Sequence, residues 1–309
     1  MSKWIIKAFV QKVISYLPRP ELVNYFFQKH ITKGVLLTDD YFEQKLKHAK
    51  DHIYYLEKYP NKTENKTILE LGTGWYPIIP IVMYLTYSGR VVSIDIQDWI
   101  KRNNLIQTVQ KFLEWDSNGK LKNYVNDLNE EKWENLIHIF HSASEYDTKK
   151  ILEVIGLECQ IQDAKELDFD DNSIDFICSN NTLEHIDKEQ LIKILREFNR
   201  ILKPSGIMSH SIDLSDHFSH FDSKINNYHF LRFSRKRWRL IDNNIQPQNR
   251  LRFKDYCEIY AQLGIPISEK IVSSGDIKQL EKVNIHREFA DYSKEELAIS
   301  HAHIISKTE

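Results

Sequence analysis

The chain is predicted to be an α/β protein, doubly wound around a mostly parallel, seven-stranded sheet, and three observations predict it. From Thr67 onward short apolar runs alternate with segments of helical spacing, the texture of strand–helix–strand units. One such run, Ile68-Leu69-Glu70-Leu71, enters a glycine turn, Gly72-Thr73-Gly74. A second run, Val91-Val92-Ser93-Ile94-Asp95, follows about twenty residues later and ends in a carboxylate, the separation expected of a nucleoside-binding unit.

Taken in order, residues 1–60 show helical periodicity broken by Pro18 and Pro20 and read as an N-terminal helical cap. A polar linker is expected over residues 60–66, and residues 61–309 then form the main domain. Strands are expected at 67–71, 91–95, 158–162, 174–179, 207–214, 265–272 and 297–305, with helices between them. The second and third strands are joined by far more chain than one crossover helix needs, so a helical insertion is expected at about 100–150, beside the site. Residues 215–253 are dense in His, Phe, Arg, Asn and Trp with little periodicity and read as a loop-rich substrate region.

Composition narrows the function classes. A chain of 309 residues that is 41% hydrophobic can bury a large core. With 42 basic against 44 acidic side chains it has no general drive toward nucleic acid, so no nucleic-acid partner is expected. Cys159, Cys178 and Cys257 are widely spaced and form no C-x-x-C pair, which suits reduced thiols and a cytoplasmic location. Over residues 4–17, Trp4, Ile5, Ala8, Phe9, Val13, Ile14 and Leu17 recur at helical spacing between Lys3, Lys7 and Lys12. This helix either packs on the protein's own core or makes a weak contact with an anionic membrane surface.

The glycine turn selects among nucleoside cofactors. Dinucleotide binding calls for a third glycine so that a pyrophosphate can sit on the helix N-terminus, but here Trp75, Tyr76 and Pro77 follow Gly74. The acid Glu70 just before the turn repels phosphate and suits the cationic amino-acid end of S-adenosylmethionine. Asp95 is placed to accept hydrogen bonds from ribose hydroxyls. A nicotinamide oxidoreductase, or a module that binds a cofactor without turnover, is the reading from another class.

Over roughly residues 67–210 the sequence resembles the class I S-adenosylmethionine-dependent methyltransferases. Gln162-Asp163-Ala164, followed by Leu167-Asp168-Phe169, is similar to the family's segment in which an acid after the third strand binds the adenine amine. The resemblance thus implies that Asp163 is an adenine ligand, with Ala164 lending its backbone amide. Ser179-Asn180-Asn181-Thr182-Leu183-Glu184-His185-Ile186 resembles the run that lines the methyl-donor pocket, which adds Asn180 to the cofactor set of Glu70, Gly72, Thr73, Gly74, Asp95, Asp163 and Ala164. Arg200 to Gly206 resembles the turn before the fifth strand, with Ser205 where the family often has glycine.

Methylation of an oxygen usually needs a base beside the methyl donor. The chain from Ser209 to Asp222 leaves the fifth strand at the edge where such sheets bind ligands, and offers Asp213, Asp216, His217 and His220. His217 is the expected general base, oriented by Asp216 or Asp213, because imidazole titrates near neutral pH; His185 is the second candidate. The same cluster can also be read as a divalent metal site, but it has no thiolate and no tight H-x-x-x-H spacing, so no metal ligand is assigned. The bases and aromatics between Tyr228 and Arg239 suit an anionic or glycan-like acceptor. The expected activity is O-methylation, of bacterial biosynthetic type, on a polar small molecule, a sugar or a lipid-linked precursor; N-methylation and a metal-dependent sugar O-methyltransferase are the variants of this reading.

Overall fold

The computed structural model describes residues 2–28, 31, 35–59, 65–87, 89–142 and 145–308. Most of the expected linker, residues 60–64, lies outside them. Three helices come first: α1 (Lys3–Ile14), α2 (Pro20–Phe27) and α3 (Asp39–Lys58). The last starts sharply, because Thr38 accepts the Tyr41 amide at 3.2 Å and Asp39 and Asp40 complement the helix dipole.

Seven strands follow: β1 (Lys66–Leu71), β2 (Gly89–Asp95), β3 (Leu157–Ile161), β4 (Ile174–Asn180), β5 (Leu202–Asp213), β6 (Glu269–Ser274) and β7 (Ile299–Lys307). They form one sheet in the order β3-β2-β1-β4-β5-β7-β6. All pairings from β3 across to β5 are parallel, whereas β7 runs antiparallel to both β5 and β6. The sequence expectation of a doubly wound, mostly parallel, seven-stranded sheet is met.

Three expected strands change. The sixth begins at Glu269 rather than 265, and the start of the seventh is a helical turn over residues 294–298 that Ser293 and Glu296 close with reciprocal caps. The fifth begins earlier than expected and carries its turn inside the strand: pairing with β4 jumps from Ile174↔Leu202 to Phe176↔Ile207, and Ser205 sits at a φ of 62°. A serine there costs about 1–2 kcal/mol that glycine would not.

Alternation along the strands divides two cores. Ile68, Val91, Phe176, Ile207 and Ile305 face α3, the mostly apolar α4 (Ile78–Thr86), and the three helices of the β2–β3 insertion, α5 (Arg102–Ser117), α6 (Glu130–His141) and α7 (Thr148–Val154). Thus α3, expected in the N-terminal cap, packs in the main layer, and the insertion builds that layer together with it. Leu69, Val92, Ile177, Met208 and Ile304 face the other way, onto α8 (Lys188–Ile201) and α10 (Phe253–Gln262). A third cluster joins α1 to the chain after β5: Ala8 packs with Phe218, Tyr228, Phe230 and Trp238, the last on α9 (Arg235–Ile241).

Buried Arg252 ties this third cluster to the sheet by donating to the carbonyls of Leu214 at 2.7 Å, Leu297 at 3.0 Å and Ile299 at 2.5 Å. Residues 215–253 are therefore largely a packed structure. Tyr228, His229, Phe230 and Trp238 are core, while Arg232, Arg235, Lys236, Arg237 and Arg239 point to solvent and do not gather at the sheet's mouth. Among the described residues no helix is long and apolar enough to cross a membrane, and all three cysteines are free thiols.

Candidate active site

Strand order reverses between β1 and β4, so the crevice at their carboxyl ends is the ligand-binding position of an open parallel sheet. Both residues of the predicted turn need glycine. Gly72 has a φ of 91°, and a Cβ there would overlap the Thr182 side chain; Gly74 has a φ of 64°. The Gly74 amide donates to Asp95 Oδ2 at 3.2 Å, which draws the ends of β1 and β2 together.

Glu70 is buried at this mouth and accepts from Ser93 Oγ at 2.6 Å, and Ser93 in turn lies 2.5 Å from the Thr73 hydroxyl. Burial pushes the Glu70 carboxyl up to about 7, against the lowering effect of Ser93 and Lys45. Burial likewise raises Asp95, opposed by the Gly74 and Gln97 amides and the Trp99 indole, whose N–H donates to Oδ1 at 3.0 Å. Gln162 donates its amide to the Asp95 carbonyl at 3.0 Å, which sets Asp163 at the same edge. Asp163 is exposed and bonded to Lys165, with Nζ at 3.0 Å, while Ala164 is buried against the second core. Asn180 closes β4 in a buried position with neither amide atom partnered, although buried polar groups are nearly always paired.

The structure adds residues that the sequence reading passed over. Trp75 stacks on Tyr25 of α2 at 4.3 Å and meets Trp99 at 4.3 Å, so the N-terminal helices overhang the glycine turn. Ile96, next to Asp95, is 66% exposed and presents an apolar face at the mouth. An apolar residue directly after the second-strand acid was the available signal for it.

A second polar group lies beside this mouth. Leu183–His185 is a 3₁₀ turn pinned by Asn249, whose side-chain amide donates to the carbonyls of Leu183 at 2.9 Å and Ile186 at 2.7 Å. His185 Nδ1 lies 2.6 Å from the Pro247 carbonyl, so that nitrogen carries the proton. Burial and the neighbouring His217 hold its imidazole down to about 4. Glu184 is buried without a partner for either oxygen, and burial pushes it up to about 8.

The rings of His185 and His217 are 4.9 Å apart, and His217 Nε2 stands 3.6 Å from Asp213 Oδ2. Burial acts to lower His217, but Asp213, Glu184 and Asp216 raise it on balance. Burial acts to raise Asp213, but His217, His301 and Ser215 keep it well below the usual carboxylate range. Of the two expected orienting acids, the structure brings Asp213 to His217. Asp216 turns elsewhere, accepting from the Phe218 amide at 2.8 Å and pairing with His229 at 3.3 Å. Behind His217 a small cleft is lined by Lys7 and Gln11 of α1 and by Gln246 and Gln248.

A seven-stranded sheet with this order and one reversed strand, carrying acids at the tips of β1 and β2 around a two-glycine turn, has the Rossmann-like fold of class I S-adenosylmethionine-dependent methyltransferases. A family model described as a methyltransferase domain matches residues 131–209, from α6 through most of β5. That match covers about a quarter of the chain and includes β4, α8 and the turn bearing Glu184 and His185. No curated protein matches it in sequence. Among solved structures, it is similar to geranyl diphosphate C-methyltransferase from Streptomyces coelicolor A3(2), at 9% identity and a TM-score of 0.47 over 90% of this chain and 87% of that one. It is also similar to a SAM-dependent methyltransferase from Methanosarcina mazei, at 14% identity and a TM-score of 0.42 over 82% of this chain and 96% of that one.

Proposed function

We propose that the protein methylates a hydroxyl of a polar small molecule or glycan-like acceptor, with S-adenosylmethionine as donor. The carrying observation is that the β1–β4 mouth, with its buried Glu70, Asp95 and unpartnered Asn180 amide, opens beside the Glu184–His185–His217–Asp213 group. The residues fit the cofactor. Glu70 suits its ammonium, the turn lets backbone approach closely at Thr73 while the Gly72 amide is given to the Ile94 carbonyl at 2.8 Å, and Asp95 retains acceptor capacity for ribose beyond its present bonds. Asp163 suits the adenine amine as acceptor and the amide of Ala164 suits an adenine ring nitrogen as donor, with Ile96 as the apolar face for the ring. When bound, S-adenosylmethionine supplies a methyl group on a sulfonium sulfur, which becomes a neutral thioether once the acceptor oxygen has taken the methyl.

The chain's own part is to hold the hydroxyl in line and receive its proton. His217 is the proposed proton acceptor, with Asp213 stabilising the imidazolium that results. His185 has its Nδ1 committed to Pro247 and so is the less mobile partner. The cleft behind His217 is small and is lined by Lys7, Gln11, Asp242, Gln246 and Gln248 together with Phe218 and Trp238, and its polar groups are what supports a hydroxyl-bearing acceptor. α1 lines this cleft and also leaves Ile6, Phe9 and Val13 exposed, which favours as second reading a lipid-linked acceptor met at a membrane surface. The cytoplasm is the proposed compartment.

Asp95→Ala is expected to weaken S-adenosylmethionine binding by about 1–3 kcal/mol, the scale for losing hydrogen bonds to a charged acceptor. Titration calorimetry checks this, and an unchanged affinity removes Asp95 from the ribose role. Cofactor affinity should also depend on pH through Glu70. Its carboxyl sits near 7 before binding, and a cationic ligand favours the ionised form. Affinity should therefore rise as pH increases from 6 to 8, with proton uptake by the buffer below pH 7. Calorimetry in two buffers of different ionisation enthalpy would read that proton, and a pH-independent affinity would argue against contact between Glu70 and the ammonium.

A further inference from the structure

We infer that Glu184, His185 and His217 form a binding site for one divalent transition-metal cation, set beside the methyl-donor mouth where the acceptor hydroxyl is to be held. Their ligating atoms lie within 4.8 Å of one another. Ligands each roughly 2.1 Å from a common ion are at most about 4 Å apart, so a small inward turn of the side chains completes the set.

Two independent features point to a ligand. Glu184 is 2% exposed and neither of its carboxyl oxygens has a hydrogen-bond partner, although buried polar groups are nearly always paired, so both are open to a ligand. His185 donates Nδ1–H to the Pro247 carbonyl, and this leaves the Nε2 lone pair free and fixes the ring. That is the outer-shell arrangement typical of metal-ligating histidines. Asn249 holds the turn that bears both residues, its backbone amide donating to the Glu184 carbonyl at 2.9 Å and its side chain to Leu183 and Ile186. Glu184 and His185 are thus held in place by the fold around them.

The donor set selects the ion. Two imidazole nitrogens and one carboxylate suit Mn²⁺, Fe²⁺, Co²⁺, Ni²⁺ or Zn²⁺ over Mg²⁺ or Ca²⁺, and three protein ligands leave positions open for acceptor oxygens. An ion there would polarise the acceptor O–H; the O–CH₃ bond would form as the donor's S–CH₃ bond breaks to leave a neutral thioether, and the hydroxyl proton would be lost to solvent. The inference rests on the acceptor position proposed above and makes His217 a ligand instead of the proton acceptor when the ion is bound.

The test is titration of Co²⁺ into the chelator-stripped full chain, followed by calorimetry and visible absorption. One saturable site is expected, with affinity at least tenfold weaker in Glu184→Gln and in His217→Ala and unchanged in His141→Ala, a substitution on the exposed face of α6. Circular dichroism confirms that each variant is folded, and the near-isosteric Glu184→Gln preserves the packing. Absence of a 1:1 site, or equal affinity in Glu184→Gln and His217→Ala, overturns the assignment. S-adenosylmethionine titrated into the same samples separates the two readings: cofactor binding without Co²⁺ binding defeats the metal site alone, and loss of cofactor binding defeats the methyltransferase chemistry on which it rests.

Discussion

His217→Ala should lower methyl transfer by roughly 10²- to 10⁴-fold, the contribution of a positioned proton acceptor, while leaving S-adenosylmethionine affinity within about twofold. The reason is geometric. His217 stands 3.6 Å from Asp213 at the end of β5, whereas the groups assigned to the cofactor lie on the tips of β1, β2 and β4. Transfer of labelled methyl groups into a polar small-molecule extract, measured alongside calorimetry, checks both halves. Wild-type transfer would remove His217 from the chemistry, and an equal fall in cofactor affinity would place it in the donor site instead. Asp216→Asn serves as the contrast: its carboxylate pairs with His229 and caps Phe218, so its loss is expected to lower thermal stability before it alters the pH profile of transfer.

The second large effect is on stability in acid. A band of histidines ties the sheet to the helices on both of its faces: toward α3, His52 Nδ1 lies 2.8 Å from Ser209 Oγ, which lies 2.8 Å from His303 Nε2, while on the opposite face His210, stacked on Phe198 of α8, has its Nδ1 2.7 Å from Ser179 Oγ. Burial holds His48 and His303 down to about 4 and His210 to about 3, and holds His52 well below its usual value, with mutual repulsion adding to each except His303. Unfolded histidines titrate near 6.5, so the unfolded chain takes up protons first. The stability from keeping these rings neutral is present in full above about pH 6.5 and is lost as pH falls toward 4.

Each ring contributes roughly 1 kcal/mol of loss by pH 5.5, and four rings together remove a large share of a typical 5–15 kcal/mol. Urea unfolding at pH 7.5, 6.5 and 5.5 should show this slope, reduced by about one proton in His303→Gln. A stability flat across that range would show that the rings gain a proton without disrupting the fold.

The histidine band also shows where reading the sequence stops. His48 and His52 belong to a helix assigned from sequence to a separate cap, and only the packing of α3 against β5 and β7 brings them to Ser209 and His303. The same holds for the acids after β5. Asp216 is the immediate chain neighbour of His217 and Asp213 lies four residues away, yet the more distant acid meets it, because the turn at Ser215, whose amide and hydroxyl both bond to Asp213, holds Asp213 facing His217. Asn249 and Pro247, which fix Glu184 and His185, lie some sixty residues away in the chain, in a stretch without a motif.

What the sequence determined by itself was local and periodic. Alternation of short apolar runs with helical spacing set the seven-stranded α/β class, and the glycines at 72 and 74, between an acid at 70 and another at 95, marked the turn at the carboxyl end of β1. These features are legible because a strand's two faces and a turn's backbone angles are imposed by neighbouring residues. The tertiary structure alone decided which distant side chains share a space: α3 in the main layer, the basic run of α9 turned to solvent, and Glu184, His185 and His217 in one group. Contacts between residues far apart in the chain depend on how layers pack, and that is set by the summed shape of the core, which no single spacing encodes.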